Sequence, residues 1–150
     1  MKKVLSLALI LIMTLSMFAI GVSAKAGDSD KWDGSADKAW YDPSKTSFDI
    51  STAEQLAGMA ELAAAGVNFQ GVEIRLTADL ALNDGDASNW DLTAPAHAWT
   101  PIGTKDAPFL GTFDGQGHTI SGIYMSGAGN PDFSNVGLFG YVGRERPSFR

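Results

Sequence analysis

The chain has no cysteine among its 150 residues, 2 histidines, and 11 basic residues against 17 acidic ones. Each shortage excludes something. Without cysteine there is no disulfide framework, no thiol nucleophile and no lipid-bearing Cys after an apolar leader. Stability has to come from packing. The histidines, His97 and His118, do not sit in a His-Glu-x-x-His helix, so that zinc-protease chemistry has no ligands here. No Gly-x-Ser-x-Gly elbow and no phosphate-cradling Walker loop occurs. The glycines of residues 111–117 are followed by β-type residues, whereas a nucleotide loop needs a helix there. A net charge of -6 repels a phosphate backbone, which argues against nucleic acid as a partner.

Long apolar runs are equally scarce, and the clearest is at the start. Lys2 and Lys3 precede residues 4–20, which carry no charge, and small residues follow at Val22-Ser23-Ala24 and Ala24-Lys25-Ala26. This order predicts a secretory signal peptide over residues 1–24, and hence a secreted or cell-surface protein with no stable membrane span after cleavage. The run is about long enough to cross a thinned bilayer, so an uncleaved anchor is the competing reading. Cleavage removes two lysines and no acid, leaving 9 basic against 17 acidic residues and a net charge of -8. The remaining stretch of about 125 residues suits one domain.

Residues 25–47 are polar but hold Trp32, Trp40 and Tyr41, which predicts docking of the aromatic end onto the domain, with residues 27–31 loose. Ser51 stands three residues before Glu54, a capping-box spacing, and Leu56, Met59, Ala60 and Ala63 share one helical face. Gly66 marks a stop, so a helix is predicted over residues 52–65. The period then changes. Val72, Ile74 and Leu76 alternate with Glu73, Arg75 and Thr77, and Leu80 and Leu82 keep the same parity. Further extended pieces are predicted at 100–103, 109–113, 119–125 and 136–142. Asp114-Gly115-Gln116-Gly117 reads as a turn whose glycines take positive φ, with Asp114 bonding an amide two residues on.

The pieces in order resemble the N-terminal part of bacterial surface proteins with GLUG motifs. They are Trp32-Asp33-Gly34, the helix start at residues 50–56, Asn68-Phe69-Gln70-Gly71, residues 74–80, Pro101-Ile102-Gly103, residues 109–120 and Gly137-Leu138-Phe139-Gly140. The resemblance implies a mostly β chain, a right-handed parallel β-helix whose first coil is capped by the one α-helix. It also implies an extracellular setting; some relatives, including certain IgA peptidases, carry a zinc protease downstream. On this reading residues 48–142 are the start of the β-helix and 143–150 a charged tail where a longer protein is cut short. Gly111, Phe113, Asp114, Gly115, Gly117, Gly137, Leu138, Phe139 and Gly140 are its structural motif. Val72, Ile74, Leu76, Phe113, Ile120, Ile123, Val136, Leu138 and Phe139 would fill the interior, and an uncovered last strand would favour self-association.

Candidate chemistry is thin. His118 follows a turn and is expected to bond a neighbouring backbone group; His97 is expected to be exposed in its loop. Asn83-Asp84-Gly85-Asp86 offers oxygen ligands that suit calcium, but the bidentate Glu that an EF-hand needs at its twelfth position is missing. Solvated loop carboxylates are the plainer reading, and no cofactor is expected. Trp32, Trp40, Trp90 and Trp99 would stack sugars if exposed together, but burial in a small core is the commoner fate. A polysaccharide lyase needs acids and bases gathered on one strand face, and Arg75 is nearly alone there. The expectation is a non-catalytic structural or adhesion-type module meeting wall or host glycans or surface proteins. A carbohydrate-binding or carbohydrate-active protein is the alternative.

Overall fold

The structure, a computed structural model, describes residues 31–85, 87–126 and 135–143. Its elements are β1 (Ser47–Ile50), α1 (Ala53–Ala64), β2 (Glu73–Leu76), β3 (Leu80–Ala81), a 3₁₀ turn (Ala87–Asn89), β4 (Thr112–Asp114) and β5 (Ile120–Ser121). β1, β2 and β4 form one parallel sheet in that order, and β3 and β5 form a second. Phe48 pairs with Ile74 and Ile74 with Phe113, so an apolar row crosses the first sheet on its inner face.

This corrects the expected right-handed parallel β-helix. Among the described residues there are one α-helix and a few short parallel strands in two small sheets, the longest strands having 4 residues. The physical reason lies in the connections. Asx turns recur along the chain, with the Asp33, Asp37, Asp42, Asn68 and Asp114 side chains each accepting from the amide two residues on, at 2.8–3.1 Å. The Asp114 turn ends β4, while the other four lie in the connections that precede β1 and β2. The run predicted over 136–142 is likewise no strand. Phe139 and Val142 form isolated parallel bridges to Ile102 and Phe109. Val136, assigned to the interior, is 51% exposed.

The helix forms where the apolar spacing places it, one residue inside the predicted limits. Thr52, not Ser51, is the N-cap: its hydroxyl accepts from the Gln55 amide at 3.3 Å, and Gln55 accepts in return from the Ser51 amide at 2.9 Å. At the other end Gly66 has φ +98°, with Gly66 N–H donating to Ala63 and Val67 N–H to Leu62, a Schellman ending. The predicted stripe Leu56, Met59, Ala60 and Ala63 is buried. It joins Phe48, Ile50, Phe69, Val72, Ile74, Leu76, Leu80, Leu82, Trp99, Ile102 and Phe109 in one core.

Aromatic rings bind the distant parts of the chain together. Centroid separations of 5.1–5.8 Å run from Trp40 to Phe48, Tyr41, Phe69, Phe109 and Phe139 in turn, ending at Phe113. Such pairs add to burial roughly 0.5–1.5 kcal/mol each. The aromatic end of residues 25–47 therefore does dock: Trp32 is buried and Trp40 donates its indole N–H to the Gln55 carbonyl at 3.2 Å. Lys31, placed in the loose stretch, instead bridges to Ala81 and pairs with Asp84 at 2.6 Å.

Candidate functional site

Polar side chains with any claim to chemistry are mostly engaged in holding loops. Asn83 is the clearest case. Its amide donates to the carbonyls of His97 (2.7 Å) and Gly122 (2.9 Å), and its oxygen accepts from the His97 amide (3.2 Å). One side chain thereby closes the loop 83–97 and fixes it to the chain beyond β5. In the segment Asn83-Asp84-Gly85-Asp86, weighed against calcium in the sequence, Asn83 is spent in this way, Asp84 pairs with Lys31, and Asp86 lies outside the described residues. No group of three or more metal-ligating side chains forms among the described residues.

The histidines depart from expectation. His97 is half-buried rather than exposed, because its ring packs at 5.5 Å against Trp32 while its backbone is clamped by Asn83. His118 bonds a carboxylate instead of a backbone group: its Nδ1 lies 3.2 Å from Asp79 Oδ1, the same oxygen that accepts the Thr119 amide at 2.8 Å. That amide first, and His118 second, hold the Asp79 carboxyl below its ordinary value of 3.8. The folded state thus favours the ionised form. Its contribution is present above pH 3.8 and is lost as pH falls through the depressed folded value. Thermal melts of the native protein and Asp79→Asn should differ at pH 7 and converge as the pH falls through the depressed folded value. A difference that stays constant down to that pH would refute the pairing.

The motif residues serve the architecture. Asp114 Oδ1 accepts from the Gln116 amide at 2.9 Å, and its strand register sets it beside Arg75. Arg75 in turn holds Asp49 at 2.8 Å across the sheet. In the turn that follows, positive φ falls on Gln116 (+48°) and Gly117 (+81°), not on Gly115. His118 N–H closes it on the Gly115 carbonyl, so the two central residues are the pair one place further on. Phe113, Leu138 and Phe139 are half-buried against the core. Gly111 and Gly140 sit where neighbouring carbonyls of Phe69 and Gly103 leave no room for a side chain, and Gly137 directly follows the exposed Val136.

Three clefts adjoin Trp32. The largest, about 250 Å³, lies between Lys31, Asn83, Asp84 and His97; one of about 190 Å³ lies between Trp32, Trp99 and the small residues of α1. Both fall below the roughly 300–1,000 Å³ typical of small-molecule sites. Trp32 and Trp99 meet edge to face at 6.0 Å and are buried, as a core role requires. Trp90 differs. It lies outside the core cluster, half-buried, with its ring 5.8 Å from Tyr124.

No protein-family profile, curated protein or solved structure matches the chain. Among the described residues no helix is long and apolar enough to cross a membrane.

Proposed function

We propose that the chain is an exported, non-catalytic structural or adhesion-type module of a bacterial cell-surface protein, related in its setting to the GLUG-motif proteins. The observation that supports this most directly is the use of the polar side chains. Asn83, Asp79, Asp114 and the Asx-turn residues hold surface loops in place, and do so with backbone amides and carbonyls as partners. A chain built in this way presents loops on a packed frame, which suits recognition. Val136, Tyr141 and Val142, at 51%, 41% and 60% exposure, add an apolar edge of the kind through which copies associate. Self-association through that edge belongs to the same proposal.

Export supplies the test. Expressed in a bacterium, the protein should be recovered outside the cytoplasm beginning at Lys25 or Gly27, as read by intact-mass spectrometry. Secreted material still carrying Met1, or retention of all the protein inside, would overturn the exported reading. Turnover of a glycan or peptide that disappears in both His118→Ala and Asp79→Ala variants would overturn the non-catalytic one.

A further inference from the structure

We propose that the turn of residues 87–93, held in the loop that Asn83 and His97 close, binds a neutral glycan, with Trp90 and Tyr124 as its aromatic platform. The proposal deepens the adhesion-type reading and rests on it for the setting alone.

Four observations support it together. First, Trp90 is the tryptophan that the core does not take up; Trp32, Trp40 and Trp99 all belong to it or pack against it. Second, Leu92, two residues on, is 87% exposed, the most exposed of the large hydrophobics. A lone exposed Leu needs no explanation, but here it shares a tight turn with a half-buried indole that the core does not take up. Third, the turn is built rather than slack. Trp90 N–H donates to Ala87, and Leu92 and Thr93 N–H both donate to Asn89, at 2.9–3.3 Å. The Asn83 clamp fixes both ends of the loop, and Gly85 stands beside the indole, where an added Cβ would make an ordinary contact 3.8 Å from its nitrogen. Tyr124 meets Trp90 at an interplanar angle of 83°, an edge-to-face contact that sets the indole's direction without stacking over both rings. A platform fixed before binding loses little entropy on contact. Fourth, Asn89 and Asp91, the residues on either side of Trp90 in the chain, are exposed.

The chemistry of that surface selects the ligand. An aromatic face matches the C–H face of a pyranose ring, and a flanking amide and carboxylate match its hydroxyls, which both donate and accept. Asp91, on a chain of net charge -6 that becomes -8 on export, disfavours uronic or sialic acids, so the sugar is neutral.

The test titrates the purified protein with neutral oligosaccharides (gluco-, xylo-, manno- and galacto-oligomers), followed by NMR of the indole N–H signals and by calorimetry. The Trp90 signal should shift with at least one of them while those of Trp32 and Trp99 stay still. Trp90→Ala should weaken binding about tenfold, the size of one lost aromatic contact, with Trp90→Phe retaining most of it. Should Trp90→Ala fail to fold, the signals of the native protein decide. No shift of Trp90 with any neutral glycan at millimolar concentration, or binding that survives Trp90→Ala, overturns the proposal; so does a Trp90 response to apolar peptides in place of sugars. Because export is read from the N-terminus and binding from purified protein, either reading can fail without the other.

Discussion

Ile74→Asp should abolish folding at ordinary temperatures. Ile74 is fully buried in β2, the central strand of its sheet, between Phe48 and Phe113. Removing its side chain alone forfeits about 2–5 kcal/mol, and an unpaired carboxylate in that row adds several kcal/mol more or takes up a proton. A domain of this size has only about 5–15 kcal/mol in total. Leu138→Asp provides the contrast. The sequence alone places both residues in the same interior, but Leu138 is half-buried at the end of the core, where its new carboxylate can reach water. Circular dichroism melts should show no cooperative transition for Ile74→Asp and a lowered but cooperative one for Leu138→Asp. Equal losses for the two would contradict the packing described.

Gly58→Ala should destabilise, against what helix propensity predicts. Gly58 lies in the middle of α1, where alanine would ordinarily gain about 1 kcal/mol. Here a Cβ would fall 1.9 Å from the carbonyl oxygen of Asp37. That oxygen belongs to backbone that is itself fixed, since the Asp37 amide donates to the Glu54 carbonyl at 2.8 Å. The segment 36–38 cannot withdraw without breaking this bond and disturbing the Lys38–Glu61 pair. Overpacking of this kind costs about 1–3 kcal/mol, so the clash outweighs the propensity gain. Chemical denaturation should give a lower midpoint for Gly58→Ala. A higher midpoint would show that the 36–38 segment is not seated on the helix.

How legible the molecule was in its residues varied by element. The helix could be read because three local signals agree: a hydroxyl cap, a stripe at i, i+3, i+4 and i+7, and a terminal glycine. The cap shifted by one residue because Ser51, Thr52, Glu54 and Gln55 offer two overlapping boxes, and the chain used Thr52 with Gln55. β2 could be read because one face is apolar and one polar. β1 was missed as a strand: Ser47–Ile50 is 4 residues long beside a polar segment, too short for alternation to stand out. The run 136–142 was overread, since Val136, Leu138 and Phe139 look apolar whether or not a neighbour covers them. The candidate loop was legible only in part. Trp90 was visible as one of four tryptophans, but nothing local distinguishes it from Trp99, which the fold buries.

What the sequence determined by itself is what short-range physics controls: the capped helix, the Asx turns at Asp114 and its counterparts, the alternation of β2, the absence of a disulfide framework, and the acidic surface. These depend on neighbours a few residues away. Tertiary structure alone decided which strands pair and which side chains are covered. Asn83 closes a loop on His97 and Gly122, and Asp79 reaches His118 and Thr119 some 40 residues ahead. Gly58 is required by a backbone carbonyl 21 residues earlier in the chain. Contacts of that span are set by the packing of the whole core, because a side chain's partner there depends on where distant segments come to rest and not on its own neighbours in the chain.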